Sequence, residues 1–235
     1  MNQHVRYWSV VPAAGVGRRM ESELPKQYLP LHGRSLIEHA LLRLLEHPLI
    51  ERVVVALADS DPWWETLEVA ASSSVIRTPG GAERAESVLN GLRALAGLAA
   101  PEDWVLVHDA ARPCLQREDL DRLISTLADH PVGGLLGVPL HDTVKRAERT
   151  GTVIETLPRE QLWRAFTPQM FRYGQLLQAL QEGWRKRRVI TDEASAMEQA
   201  GHRPLLVEGR SDNIKVTRRE DLALAAFYLD QIGGP

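Results

Sequence analysis

The chain has 235 residues, enough for one large α/β domain or one domain with an insertion. Hydrophobic residues make up 44% and charged residues 25%, so a sizeable core is expected, and a formal net charge of −3 argues against a nucleic-acid binder working by counterion release. The single cysteine, Cys114, excludes an internal disulfide and a multi-cysteine zinc site; neither a leader sequence nor an apolar run of about 18 residues is present, so a cytoplasmic protein without membrane or nucleic-acid partners is expected.

Trp8–Val11 reads as the first strand. Apolar residues at helical spacing predict a helix over Leu36–His47, and the β-branched run Val53–Leu57 predicts a buried strand. Asp61, a good cap followed by Pro62, predicts a helix over Pro62–Ala70. Val75–Arg77 is the next strand, Glu83–Ala96 a helix, Trp104–His108 a strand, Leu120–Ala128 a helix and Gly133–Val138 a strand. This alternation predicts an α/β fold with a doubly wound, mostly parallel sheet and right-handed crossovers. At about 140–160 the pattern changes. Thr143–Ala147 and Thr152–Leu157 flank a charged turn and read as a β-hairpin that needs another surface to lie on, most simply a second subunit. Helices over Gln175–Arg185 and Asp192–Ala200, a strand over Pro204–Val207 and a terminal amphipathic helix over Arg219–Gln231 complete one domain, 1–235, with the hairpin as a β-arm insertion.

Chemistry concentrates at predicted strand ends. After the first strand, Ala13-Ala14-Gly15-Val16-Gly17 forms a small-residue turn followed by Arg18, Arg19 and, further on, Lys26. Small residues allow close backbone approach, exposed N–H groups suit anionic oxygens, and the cations add fixed positive charge; together they point to a triphosphate clamp. The loop is not a dinucleotide fingerprint, because Met20 stands where a third small residue is needed, and no Gly-Lys-Ser/Thr closes it as a P-loop. Gly80-Gly81, with Arg84 and Ser87, and His108-Asp109-Ala110-Ala111-Arg112 are the other two clusters, and three at strand ends suggest one crevice. Asp109 reads either as a cap or turn carboxylate or as an acid facing the phosphates and holding Mg²⁺. His108 reads as a packed, hydrogen-bonded histidine, His39, His47 and His130 as surface residues, Cys114 as structural and Arg185-Lys186-Arg187-Arg188 as a solvated helix end.

Eight segments can be set in order: Pro-Ala-Ala-Gly-x-Gly-Arg-Arg-Met, Pro-Lys-Gln-Tyr-Leu, Gly-Gly-x-x-Arg-x-x-Ser-Val, His-Asp-Ala-Ala-Arg-Pro, Asp-Thr-Val-Lys, Arg-x-x-Leu-Trp-x-Ala-x-Thr-Pro-Gln, Thr-Asp-Glu-Ala-Ser-Ala and Asp-Asn-Ile-Lys-Val-Thr. In this order, across about residues 8 to 229, they resemble the 2-C-methyl-D-erythritol 4-phosphate cytidylyltransferase family. The resemblance implies a nucleotide-diphosphosugar-transferase-like fold, a homodimer through exchanged β-arms, and Mg²⁺-dependent transfer of CMP from CTP to the polyol phosphate with release of pyrophosphate. Carried onto matching positions, it implies that Arg19 and Lys26 stabilise the transition state at the α-phosphate and that Arg159 and Lys215 position the acceptor phosphate. Ala13, Ala14, Gly15, Gly17, Arg18, Gly81, Ala82, Ser87, Asp109 and Ala110 would line the CTP pocket. Arg112, Thr143, Thr167, Thr191 and Asp212 would join Arg159 and Lys215 around the acceptor. Some members carry aspartate where Ala82 stands, so backbone groups near Gly81 would have to read the base. A cytidylyltransferase for another polyol phosphate, such as ribitol 5-phosphate, is the nearest rival. A nicotinamide-dependent oxidoreductase is opposed by Met20, although Asp59 offers an acid after the second strand, and a non-catalytic nucleotide binder is opposed by the Arg19/Lys26 pair.

Overall fold

A computed structural model describes residues 5–15 and 24–232. Gly17, Arg18, Arg19 and Met20, and with them what the sequence leads one to expect of the phosphate turn, therefore lie outside the described residues.

The chain enters on β1 (Tyr7–Pro12), then passes through the short ribbon β2 (Pro30–Leu31) and β3 (Arg34–Ser35) into α1 (Leu36–Leu45) and β4 (Ile50–Leu57). β5 (Val75–Pro79), α2 (Arg84–Ala94), β6 (Trp104–Val107), α3 (Arg117–Leu127) and β7 (Gly133–Pro139) follow. The hairpin β8 (Val144–Ala147) and β9 (Val153–Leu157) precedes β10 (Trp163–Arg172), α4 (Tyr173–Arg185), α5 (Glu193–Gln199), β11 (Leu205–Glu208) and α6 (Arg219–Ile232). Among the described residues the central sheet has seven strands in the order β11-β7-β10-β6-β1-β4-β5, and β10 alone runs antiparallel to its neighbours.

Successive strand side chains point to opposite faces, so strands buried on both sides are apolar throughout. Val53, Val55 and Leu57 of β4 and Leu106 of β6 join one core with Ile37, Leu41 and Leu44 of α1 and Leu120, Leu123 and Leu127 of α3. Val54, Val105 and Val107 face the other way, onto Val88, Leu89 and Leu92 of α2, Leu176 and Leu180 of α4 and Met197 of α5. α1 starts at a capping box, in which the Ser35 hydroxyl accepts from the Glu38 amide and the Glu38 carboxylate accepts from the Ser35 amide.

The structure departs from the sequence reading at several points. Pro62–Ala70 is not an α-helix but two short 3-10 turns, Trp64–Thr66 and Glu68–Ala71, separated by extended Leu67. The cap signal at Asp61 was real: its Oδ1 accepts from the amides of Trp63 and Trp64, both at 3.2 Å. Burial of both Trp64 and Val69 in the core accompanies the broken helical path. β10 has no counterpart among the strands expected from the sequence, and it carries Pro168, a residue unusual in a central strand; its pairing with β7 breaks register between Ala165 and Gln169, around that proline. His39 and His47 are buried rather than surface residues, and their Nε2 atoms meet the Leu31 carbonyl at 2.7 Å and Asp121 Oδ1 at 3.0 Å. Cys114 is buried beneath α6 with Leu31, Leu36, Ala225 and Leu229, and burial pushes its thiol up to about 12, consistent with an inert packing residue. Among the described residues β8 and β9 pair only with each other, and Val153 and Ile154 are more than half exposed.

Candidate active site

The strand order fixes where a ligand can enter. β1, β4 and β5 are laid down in one direction across the sheet, and β6 returns to the other side of β1. The crevice outside the carboxyl ends of β1 and β6 is thus a topological switch point. A cavity of about 410 Å³ opens there. Its walls are the end of β1 and the turn after it (Pro12, Ala13, Ala14, Gly15), the turn before α2 (Gly81, Ala82, Glu83) with Arg84 and Ser87 at the start of that helix, and the turn after β6 (Asp109, Ala110, Ala111). Lys26, Gln27, Lys215 and Thr217 complete them.

Side-chain size shapes the cavity. A Cβ on Gly80 would stand 2.3 Å from the Ala14 Cβ, so only glycine lets the two loops approach this closely. The Ser87 hydroxyl accepts from the Gly81 amide at 3.0 Å, and the Glu86 carboxylate accepts from the Ala82 amide at 2.7 Å. Both amides expected near the base are therefore held by α2 side chains. Gln27, buried beside Lys26, donates from Nε2 to the Ala13 carbonyl at 2.8 Å and ties the lysine segment to the turn after β1. Tyr28 anchors the same segment by donating to Asp61 Oδ2 at 2.7 Å.

The electrostatics centre on Asp109. Arg84 Nε donates to its Oδ1 at 2.9 Å, Lys215 Nζ lies 2.8 Å from Oδ2, and Arg112 Nε lies 3.6 Å from Oδ2. Burial alone would raise the Asp109 carboxyl, but Arg84, and after it Lys215, hold it far below the ordinary carboxylate range. Of the readings open in the sequence, the helix-cap one fails, since α3 begins only at Arg117, and the turn one holds: Asp109 opens a turn closed by the Arg112 amide donating to its carbonyl at 3.0 Å. Arg84 also grips Glu193, with Nη1 on Oε1 at 2.7 Å and Nη2 on Oε2 at 3.1 Å. Although burial would lower it, pairing with Glu193 and then Asp109 drives the Arg84 guanidinium further up.

The remaining motifs brace one another. The Thr167 hydroxyl accepts from the Asp109 amide at 3.0 Å and donates to His108 Nδ1 at 2.9 Å, which leaves His108 Nε2–H to donate to the Arg112 carbonyl at 3.1 Å. That network uses a neutral imidazole, and burial pushes His108 down to about 4. Asn213 Nδ2 donates to the Thr167 carbonyl at 2.8 Å, and Arg112 Nη1 donates to the Asn213 carbonyl at 2.7 Å. Gln169 links β10 to α5, donating to Asp192 Oδ2 at 2.9 Å and accepting from the Ala194 amide at 2.8 Å.

Of the candidate residues, the structure brings Ala13, Ala14, Gly15, Lys26, Gly81, Ala82, Ser87, Asp109, Ala110 and Lys215 to one cavity. It does not bring Arg112, Thr143, Arg159, Thr167, Thr191 or Asp212 to the walls. Thr167 is buried with its hydroxyl spent on His108 and Asp109, and Asp212 is ion-paired to Arg210 at 2.6 Å. Thr143 and Thr191 are exposed, and Arg159 is exposed with its Nη1 donating to the His141 carbonyl. Residues absent from the sequence reading include Gln27, Thr217 and Glu193. Each stands inside a quoted motif, but nothing in the residue types told a wall residue from a brace.

The family model described as IspD, 2-C-methyl-D-erythritol 4-phosphate cytidylyltransferase, matches residues 8–231. The chain belongs to this family. Proteins of that name from Pseudomonas aeruginosa and Pseudomonas fluorescens are 58% and 57% identical to it over 217 residues, covering 92% of the chain and 93% and 92% of the relatives. Among solved structures, a 4-diphosphocytidyl-2C-methyl-D-erythritol synthase is 39% identical, superposes with a TM-score of 0.84 and covers 97% of this chain and 100% of its own. The Francisella tularensis 2-C-methyl-D-erythritol 4-phosphate cytidylyltransferase gives 34% identity, the same TM-score of 0.84, and coverage of 95% and 100%. The mostly parallel sheet with helices on both faces is thus the family fold.

Proposed function

We propose that this chain transfers the cytidylyl group of CTP to 2-C-methyl-D-erythritol 4-phosphate, giving 4-diphosphocytidyl-2-C-methyl-D-erythritol and pyrophosphate. The observation that carries the reading is the cavity at the β1/β6 switch point, with Lys26 and Lys215 in the wall of a small-residue nucleotide crevice in a chain of this family.

The chemistry needs what the cavity offers. An anionic phosphate oxygen of the acceptor forms a bond to the CTP α-phosphorus, and the bond to the β-phosphate oxygen breaks. No proton has to be removed from the nucleophile, so no general base is required. The obstacle is bringing one anion against another, which calls for positioning and fixed positive charge. Lys26 stabilises charge at the α-phosphate, together with Arg19, which lies outside the described residues. Lys215 positions the acceptor phosphate. Ala13, Ala14, Gly15, Gly81, Ala82 and Ser87 let the nucleotide lie close to backbone. Thr167 and Arg112 act from behind the wall, holding the turn that carries Asp109.

A magnesium ion fits this donor set as one held mainly by substrate oxygens and water. Among the described residues no group of His, Cys, Asp and Glu forms a metal cage; Glu83 and Asp109 are carboxylates in the wall, and Asp109, whose Oδ2 already faces Lys215 at 2.8 Å, would hold the ion from the protein side through water. When bound, Mg²⁺ would neutralise triphosphate charge. Arg159 and Thr143, at the root of the β-arm, reach an acceptor only if arms are exchanged in a homodimer, for which the half-exposed Val153 and Ile154 provide apolar surface. Water-soluble substrates fit a cytoplasmic enzyme; no helix among the described residues is long and apolar enough to cross a membrane.

The test is pyrophosphate release from CTP, Mg²⁺ and 2-C-methyl-D-erythritol 4-phosphate by the wild type and Lys26→Ala. Acceptor-dependent release that falls on the order of 10²–10³-fold in the variant is expected, by analogy with removal of one preorganised donor. No acceptor-dependent release by the wild type would overturn the reading.

A further inference from the structure

One buried charge in this region touches no ligand surface. Glu193, the first residue of α5, is 1% exposed and does not line the cavity. Both its oxygens are taken by the Arg84 guanidinium, whose Nε is spent on Asp109 Oδ1. Asp109 Oδ2 faces Lys215 at 2.8 Å. A single ionic chain therefore runs from the interior to the wall, Glu193–Arg84–Asp109–Lys215, and it joins α5, α2, the turn after β6 and the segment before α6. The guanidinium is a planar fork, so fixing both Nη atoms also fixes where Nε points.

We propose that Glu193 is a positioning residue for the nucleotide: by holding both Nη atoms of Arg84, it aims Nε at one Asp109 oxygen and leaves the other facing Lys215 in the cavity. The inference rests on the nucleotide reading of the cavity given above. Without Glu193, the Arg84 fork is free to take both Asp109 oxygens and to displace Lys215. The alternative role is purely electrostatic, and it carries the opposite sign. The four groups sum to zero charge, and removing the carboxylate leaves one net positive charge beside a site for a polyanion. Simple charge removal therefore strengthens CTP binding, whereas loss of positioning weakens it.

The experiment is calorimetric titration of the full-length protein with CTP and Mg²⁺, comparing wild type, Glu193→Gln, Glu193→Asp and Arg84→Lys, with steady-state kinetics on each. Glu193→Gln keeps shape and removes charge, and it is expected to raise Kd and the KM for CTP about tenfold with kcat within about threefold. Arg84 itself lines the cavity, so Arg84→Lys is read only in combination: the Glu193→Gln loss should vanish on the Arg84→Lys background, and Glu193→Asp carries the test if Glu193→Gln does not fold. Glu193→Asp is expected to recover part of the loss. A folded variant whose Kd is unchanged or lower overturns the proposal. Failure of the wild type to bind CTP overturns the proposal together with the nucleotide reading, whereas wild-type binding with unaffected variants overturns the proposal alone.

Discussion

Replacing Lys215 with alanine separates catalytic from structural roles. The substitution deletes the ammonium that lies 2.8 Å from Asp109 Oδ2 and lines the cavity. Its structural cost is small. The lysine side chain is 37% exposed, Asp109 keeps Arg84 at 2.9 Å, and water screens what is lost, so about 1 kcal/mol or less is at stake. For a chain of this size that is a fall in Tm of roughly 2–4 °C. Its chemical cost is large. Lys215 supplies preorganised charge where two anionic phosphates must meet, and losing one such donor costs about 10²–10³ in kcat, or roughly 3–4 kcal/mol of barrier. The assay is pyrophosphate release at saturating CTP and Mg²⁺ as a function of acceptor, alongside a calorimetric melt. Activity should fall at least a hundredfold with Tm nearly unchanged. Near-wild-type activity, or a collapse of Tm in step with activity, would refute the reasoning.

Three other perturbations have expected outcomes. In the folded chain burial lowers His108 to about 4, against about 6.5 unfolded, so the unfolded chain binds the proton first. The stability this gives is present above pH 6.5 and is lost as pH falls towards 4, up to about 3 kcal/mol; urea midpoints of His108→Gln should lack that part of the wild-type slope. In Gly80→Ala the added Cβ meets Ala14 Cβ at 2.3 Å, so the two nucleotide loops must part, and CTP binding by titration should weaken about tenfold or more. The proposed arm exchange predicts a wild type that sediments as a dimer, and charging the arm with Val153→Asp and Ile154→Asp together should yield a monomer at micromolar concentration by equilibrium sedimentation.

The sequence revealed elements wherever burial on both faces produced unbroken apolar runs, as in Val53–Leu57 and Trp104–Val107. It misled where tertiary packing overrode local signals. β10, which carries Pro168, had no expected counterpart, and the cap at Asp61 promised a helix that the burial of Trp64 and Val69 breaks into two turns. The three strand-end clusters did mark the cavity, because chain order and sheet order together fix which carboxyl ends meet. What the motifs could not convey was which polar residues face the ligand and which face one another. Thr167 and Arg112 read as acceptor contacts, yet neither lines the cavity: the Thr167 hydroxyl is shared between His108 and the Asp109 amide, and Arg112 Nη1 donates to the Asn213 carbonyl. Glu193 could not be identified at all, since its partner Arg84 is more than a hundred residues away in the chain.

The pairing of CTP with one acceptor is tested most directly by kcat/KM for 2-C-methyl-D-erythritol 4-phosphate against ribitol 5-phosphate, at saturating CTP and Mg²⁺, with product followed by phosphorus NMR. A diphosphate-linked cytidine product is expected from the first acceptor, favoured by at least about a hundredfold, as when a site built to hydrogen-bond one polyol leaves polar groups unpaired on another. Comparable or better turnover of ribitol 5-phosphate would contradict it.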